Sequence, residues 1–167
     1  DATTYVTQTA TGRINVDFAD LASDPTTDRI VIGFSQTLTQ LTAVIWDGIQ
    51  LYGSIFSDTV VTAPASNGDQ PFAVGWVGLS GRALLVYDDT DAGGLDTSTW
   101  TRTAGWVNAD FAGITRVTGV VTLDTFTTQN KAMACYRNGT DLFASTFDGG
   151  TLTWTATNGG AALEATL

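Results

Sequence analysis

The chain has few residues that can catalyse a reaction or bind a transition metal. Its 167 residues include no histidine, one cysteine (Cys135) and one glutamate (Glu164). Without histidine, the Ser-His-Asp and Cys-His arrangements of nucleophilic catalysis cannot form, and neither can a histidine-ligated zinc or iron site. Most aspartates lie in turn-like segments, where the side chain hydrogen-bonds the local backbone. The sequence therefore predicts no catalytic residues and a protein that is not an enzyme.

One acidic stretch could bind calcium. The segment DDTDAGGLD at 88–96 places Asp89 and Asp91 two residues apart and ahead of Gly93. Alternate oxygens around a sharp turn resemble a calcium loop, although the distal bidentate glutamate of that loop is missing. The alternative is an acidic hairpin loop without metal. Calcium, held by Asp89 and Asp91, is the one cofactor that the sequence allows us to suggest.

Two patterns bear on carbohydrate. Asn138-Gly139-Thr140 fits the N-glycosylation sequon, so Asn138 is a glycosylation candidate. Tryptophans can stack on sugar rings, and the chain has five of them: Trp46, Trp100, Trp76, Trp106 and Trp154. Trp46, Trp100 and Phe147 recur at equivalent positions of a repeat, as core residues do. The sequence leaves both interpretations of the tryptophans open, sugar stacking and core packing.

The charge balance limits the partners of the chain. It carries 7 basic and 17 acidic residues, for a formal net charge of -10. Nucleic-acid binding needs clustered cations, and an anionic membrane surface attracts them as well. No apolar run approaches the roughly 20 residues of a membrane-spanning helix. We therefore expect neither nucleic-acid binding nor membrane insertion.

A threefold repeat organises the sequence. The phrases RIVIGF from Arg29, RALLVY from Arg82 and KAMACY from Lys131 each read as one basic residue, four small or apolar residues and one aromatic residue. One alternating segment precedes each phrase, and two more segments follow it. Each unit thus reads as four short strands, with central strands at 30–34, 83–87 and 132–136. Continuous apolar runs predict that these central strands are buried on both faces.

Four strands in about 50 residues predict an all-β fold of three blade-like, propeller-like units. A β-sandwich is the alternative, since it also has many short strands. We divide the chain into an N-terminal strand arm at 1–12 and one repeat domain at 13–167, with units at about 13–62, 63–112 and 113–167. Asp47-Gly48 and Asp148-Gly149 predict hairpins, because Asp-Gly suits turns with positive φ.

The units resemble the roughly 50-residue Trp-Asp-Gly-type repeats of bacterial secreted and cell-surface proteins, some of which carry pilin-like N-termini. The resemblance covers residues 13 to about 155. Three segments carry it: SDPTTDRIVIGF, VIWDG and PFAVGWVGLSGRALLVY. It implies propeller-like β structure, a location outside the cell or on its surface, and no defined catalytic residues.

Three units leave sheet surfaces and edges uncovered, and exposed edges pair with other chains. The chain is therefore expected to self-associate, either into a ring of two chains or into an open filament. The arm around Tyr5 and Val6 alternates like a strand and could be donated to a neighbouring subunit. The leading hypothesis is a non-enzymatic extracellular structural protein that forms filaments or surface assemblies. The alternative is a carbohydrate-binding module of the propeller-lectin type.

Overall fold

The computed structural model describes residues 16–36, 40–59, 70–88, 95–110 and 121–164, and these form three four-stranded antiparallel sheets. Blade 1 consists of β1 (Val16–Ser23), β2 (Ile30–Gln36), β3 (Gln40–Trp46) and β4 (Leu51–Thr59). Blade 2 consists of β5 (Phe72–Val77), β6 (Arg82–Asp88), β7 (Leu95–Thr101) and β8 (Gly105–Asp110). Blade 3 consists of β9 (Val121–Phe126), β10 (Lys131–Asn138), β11 (Asp141–Asp148) and β12 (Thr153–Ala156), followed by a short 3-10 helix (Thr157–Gly160). The all-β prediction and its three four-stranded units are confirmed.

Strand order within each blade follows the chain, so each blade is an antiparallel meander. The registers of the three blades coincide. Ile30 lies opposite Trp46 in blade 1, Ala83 lies opposite Trp100 in blade 2, and Ala132 lies opposite Phe147 in blade 3. Positions that match in the sequence repeat are therefore also equivalent in the sheets.

Blade 2 lies between the other two blades. One core cluster joins blades 1 and 2 and includes Ile45, Leu85 and Trp100. A second cluster joins blades 2 and 3 and includes Leu84 and Phe147. Because alternate residues of a strand point to opposite faces, Leu84 and Leu85 bury opposite sides of the same sheet.

Burial on both faces holds for one of the three central strands. In β6 every residue from Ala83 to Asp88 is buried. In β2 and β10 burial alternates: Val31 is buried and Ile32 half-buried, and Ala132 is buried and Met133 half-buried. The prediction was wrong for these two strands because, among the described residues, blades 1 and 3 each have one neighbouring blade. Both faces of these two strands nevertheless carry apolar side chains, as faces that are buried do.

The blades approach closely along their first strands. The Val74 N–H donates to Asp20 Oδ2 (2.9 Å), and Trp76 Nε1 donates to the Ala22 carbonyl (2.8 Å), so two hydrogen bonds tie β5 to β1. A Cβ at Gly78 would clash with the carbonyl oxygens of Phe126 and Thr127. Only glycine allows the turn after β5 to pack so closely on the turn after β9.

The Asp-Gly hairpins form, but their stabilisation differs from the prediction. Among the turn residues of 47–50, Gly48 alone has positive φ (93°), and Asp47 Oδ1 accepts hydrogen bonds from the N–H groups of Ile49 and Gln50. Asp148 Oδ1 likewise accepts the N–H groups of Gly150 and Thr151. The aspartates are side-chain caps of four-residue loops, a role that does not require positive φ at the aspartate.

Candidate functional site

The edge of the junction between blades 2 and 3, called here the cleft between these blades, contains a cation with an unused donor. Arg82 begins β6 and faces blade 3, and one of its Nη atoms donates to Thr99 Oγ1 (3.0 Å). Burial lowers the pKa of the Arg82 guanidinium, which nevertheless remains charged at neutral pH. Its Nε is buried and has no hydrogen-bond partner among the described residues. A buried N–H without an acceptor is costly, so this group favours a ligand that brings an oxygen.

An indole from the next blade borders the same cleft. Trp154 lies in the last strand of blade 3, and its Nε1 donates to Thr97 Oγ1 of blade 2 (2.9 Å). Thr97 and Thr99 lie two residues apart on one face of β7, so the indole and the guanidinium are held by adjacent positions. Trp154 is half-buried, which leaves part of the indole at the surface. Aromatic surface beside fixed polar groups is the usual composition of a small-molecule site.

An acceptor without a donor lies at the same blade junction. Asn130 Oδ1 is buried and unpaired among the described residues, whereas the Asn130 carbonyl accepts the Gly149 N–H (2.7 Å). A Cβ at Gly149 would lie 2.6 Å from Asn130 Oδ1 and 3.0 Å from Val77 Cγ1, so these groups are in close contact. Val77 is the cross-strand neighbour of Arg82. A ligand hydroxyl both donates and accepts, so a polyhydroxylated molecule matches an unused donor and an unused acceptor.

The cleft between blades 1 and 2 is formed by the equivalent positions of the sheets, with different side chains. Arg29 takes the place of Arg82, and Trp106 takes the place of Trp154. Ala43 occupies the position of Thr97 and offers no acceptor, and Trp106 Nε1 is buried without a partner among the described residues. This second cleft therefore also contains a basic residue and an indole with an unused donor.

Tyr52 adds an aromatic face to the cleft between blades 1 and 2. Its ring meets Trp100 edge to face, with centroids 5.9 Å apart. The Arg102 guanidinium lies 5.4 Å above the Tyr52 ring, within the range of a cation–π contact. The two clefts thus differ in their aromatic lining, which predicts different preferences for ligands.

A pocket of about 290 Å³ lies where the first strands of the blades meet. Asp20, Ala73 and Thr122, which are equivalent positions of β1, β5 and β9, line it together with Gln70, Val121 and Leu123. Asp20 uses Oδ2 to hold the Val74 N–H, so its role is to join the first two blades. This pocket has one carboxylate and no aromatic or cationic side chain, and it fits a charged or sugar ligand less well than the clefts.

The residues predicted as sites fall in different places. Asn138 ends β10 and is half-buried, beside Gly139 (φ 64°) and the exposed Thr140. Asp89 and Asp91, the calcium candidates, and Tyr5 and Val6 of the arm lie outside the described residues. The part of the chain that the structure describes contains no group of three or more acidic, cysteine or histidine side chains placed to hold a metal. It also contains no helix long and apolar enough to cross a membrane.

Sequence reasoning found the basic positions of the clefts but not the clefts themselves. Arg29, Arg82 and Lys131 define the repeat, and the first two lie at blade junctions. The tryptophans divide in their burial: Trp100 is buried in the core, whereas Trp106 and Trp154 are partly buried and pack against the two core clusters at the blade junctions. One feature of the sequence could have separated Trp106 and Trp154 from the core tryptophans. Each follows a turn by about the same interval, and neither is part of the apolar phrases.

Solved structures of lectins share this fold. No protein-family model matches the chain, and no curated protein matches it. A mutant of Aleuria aurantia lectin in complex with alpha-methyl-L-fucoside superposes with a TM-score of 0.63 at 13% identity. SapL1 lectin in complex with alpha methyl fucoside gives 0.64 at 16% identity. A fucose lectin from Kordia zhangzhouensis in complex with methyl-fucoside gives 0.51 at 15% identity.

These likenesses establish a fold of repeated blade-like sheets of the kind found in fucose-binding lectins. The match covers 88% of this chain and 44% of the Aleuria aurantia lectin chain, and 89% and 48% for SapL1. The chain therefore spans less than half the length of these two lectins. For the Kordia lectin the match covers 84% of this chain and 98% of that one.

Proposed function

We propose that the chain is a carbohydrate-binding protein without enzymatic activity, and that neutral sugars bind in the clefts between its blades. The observation that carries the proposal is that one blade junction contains an unused donor, Arg82 Nε, an unused acceptor, Asn130 Oδ1, and the indole of Trp154. Both polar atoms are buried and without partners among the described residues. Sugar hydroxyls supply the missing partners, and a sugar's C–H face stacks on an aromatic ring.

The comparisons favour the same function. The Kordia protein is named a fucose lectin, and it, the Aleuria aurantia lectin mutant and SapL1 lectin were solved with fucosides. This supports the carbohydrate-binding alternative better than the filament hypothesis. A fucoside, which is uncharged, is the first ligand to test, since the net charge of -10 disfavours acidic sugars. A location outside the cell or at its surface remains part of the proposal, because such lectins meet their glycans there.

Titration calorimetry with alpha-methyl-L-fucoside, after a screen on a glycan array, tests the proposal. We expect Arg82→Ala to remove one binding site per chain and to leave the cleft at Arg29 occupied. Arg82→Lys is the matched variant, because it keeps the charge but removes the Nε–H. It should weaken binding at that cleft about tenfold or more, as for the loss of one charge-assisted hydrogen bond.

The controls separate binding from folding. Thermal melting of both variants should stay close to that of the parent, because Arg82 lies at the start of its strand. A chain that binds no glycan on the array contradicts the proposal. A chain that sediments as a long polymer and binds no glycan supports the filament hypothesis instead.

A further inference from the structure

The two outer faces of the molecule repeat the two faces that pack against each other inside it. At each inner junction, the forward face of one blade, which is directed toward the next blade in the chain, packs on the backward face of that next blade. The outer face of blade 1 is a backward face, equivalent to the buried backward faces of blades 2 and 3. The outer face of blade 3 is a forward face, equivalent to the buried forward faces of blades 1 and 2. The apolar residues of the blade 1 outer face include Leu21, Ile32, Phe34, Val44, Trp46 and Leu51. Those of the blade 3 outer face are Phe126, Met133, Cys135 and Leu142.

Equivalent positions differ in burial as a missing neighbour predicts. Leu21 is 64% exposed, whereas Val74, its equivalent in blade 2, is 4% exposed and packs in the core. Trp46 is half-buried, whereas Trp100 is 1% exposed. The central part of this face is better covered, since Val44 is 8% exposed. The open apolar surface of blade 1 therefore lies on its first two strands and at the ends of the others.

The blade 3 outer face shows the same contrast. Phe126 is 41% exposed, whereas its blade 2 equivalent, Val77, is fully buried against blade 3. Met133 is half-buried, whereas its equivalent, Leu84, is fully buried. Phe126 and Met133 are large apolar side chains at positions that nothing in the described chain covers. Exposed apolar patches of this kind mark interaction sites.

We propose that a second copy of this chain covers both faces, with blade 3 of each copy packed on blade 1 of the other. Such contacts are head to tail; in the proposed ring they close after two copies, whereas head-to-tail contacts that do not close extend as a filament. Two copies complete six blades. The match to Aleuria aurantia lectin covers 44% of that longer chain, which leaves room there for a second set of three blades.

The ring creates a cleft that a single chain lacks. At the junction between copies, Lys131 of one copy takes the position of Arg82, and Leu51 of the other takes the position of Trp154. This shared cleft has a point charge, and a leucine stands where the inner clefts have Trp154 or Trp106, so it differs from both. If the proposed sugar binding holds, this shared cleft is the weakest of the three, because leucine offers no ring for stacking at that position.

The mass in solution tests the ring without any sugar. We expect light scattering after size exclusion to give twice the chain mass of 17.5 kDa. Leu21→Asp and Phe126→Asp should each give single chains, because each puts a charge into one contact. The matched control is Leu79→Asp, since Leu79 is 69% exposed in the turn after β5 and lies on neither face. It should remain a dimer.

Mixing the two disrupted variants tests the head-to-tail arrangement. Leu21→Asp keeps an intact blade 3 face and Phe126→Asp keeps an intact blade 1 face, so the mixture should recover an open dimer. A face-to-face contact of like blades predicts no recovery in the mixture and overturns the proposal. So do a monomeric parent chain at high concentration, a parent that forms long polymers, and a dimer that Leu79→Asp disrupts equally.

The N-terminal arm is the competing occupant of the faces. A chain that is monomeric in full but dimerises when residues 1–12 are deleted assigns the faces to the arm and overturns the ring. Loss of sugar binding does not enter any of these outcomes. Failure of the ring and failure of the proposed function are therefore told apart.

Discussion

At the scale of residues, one substitution between equivalent positions decides whether a buried polar group is satisfied. Thr97 accepts the indole N–H of Trp154, whereas Ala43 leaves that of Trp106 without an acceptor. The strands that line the two clefts, β3 and β7, differ there by two hydroxyls, because Ile45 also takes the position of Thr99. Buried groups of this kind are expensive to leave unpaired, which makes them the natural places to look for ligand contacts.

Asp24 is a buried aspartate with a structural role, and it gives stability a dependence on pH. Its side chain accepts hydrogen bonds from the Thr26 N–H (2.9 Å), the Thr26 hydroxyl (2.8 Å) and the Thr27 hydroxyl (2.6 Å). Burial raises the pKa of Asp24, but these hydrogen bonds and the charge of Arg29 outweigh burial and hold the pKa below 3.8. The folded state therefore favours the carboxylate.

We expect Asp24→Ala to lower the free energy of unfolding by about 1–3 kcal/mol at pH 7, from the loss of charge-assisted hydrogen bonds. A lowered pKa contributes stability that is complete above about pH 4 and disappears as pH falls through the folded-state pKa. The gap between parent and variant in urea unfolding should thus narrow at pH 3. Asp28→Ala, an exposed position in the same turn, is the control. A gap that stays constant between pH 7 and pH 3 contradicts this role.

At the scale of elements, the central strands share one pattern and differ in environment. β6 has neighbours on both faces, whereas β2 and β10 have a neighbouring blade on one. The same apolar side chain therefore contributes more to the free energy of unfolding in blade 2 than in an outer blade, since hydrophobic stabilisation follows the area removed from water.

Leu84 and Met133 occupy equivalent positions and test this difference. We expect Leu84→Ala to cost about 2–5 kcal/mol, the usual cost of emptying a packed core position. Met133→Ala should cost less than half as much in a single chain, because Met133 is half-buried. Both substitutions belong in the Leu21→Asp background, where no second copy covers Met133. Equal losses of unfolding free energy in denaturant titrations would show that the outer face is covered within one chain.

At the scale of the whole molecule, surface pattern and net charge act in opposite directions. The outer faces carry large apolar residues and favour association, whereas a charge of -10 on each chain opposes it. Charge repulsion between copies is screened by salt, with a Debye length of about 8 Å at physiological ionic strength and about 30 Å at 0.01 M.

We therefore expect the dimer to dissociate more readily at low salt. Sedimentation at 0.01 M and at 0.15 M sodium chloride measures this, and the dissociation constant should be larger at the lower concentration. Leu79→Asp adds one negative charge away from both faces and should increase the salt dependence slightly. A dimer that tightens at low salt would instead indicate complementary charges across the junction.

The sequence was sufficient to predict the repeat and the strands. Basic residues at the start of each apolar phrase located the central strands within a residue or two. The turns were recognised from Asp-Gly, but the way the aspartates stabilise them was not, because capping depends on which N–H groups the loop turns inward. The candidate calcium ligands, the arm and the glycosylation of Asn138 stay predictions.

What the sequence determined by itself is local: apolar alternation, turn residues and the register of the repeat all act between residues close in the chain. What only the tertiary structure decided is the stacking of the blades. Stacking places Arg82, Thr97, Trp154 and Asn130 at one junction although Arg82 and Thr97 are distant in sequence from Asn130 and Trp154, and leaves one face of blades 1 and 3 uncovered by the residues that the structure describes. Whether a face is buried depends on the number of neighbouring blades, and the composition of a strand carries no information about how many neighbours it will have.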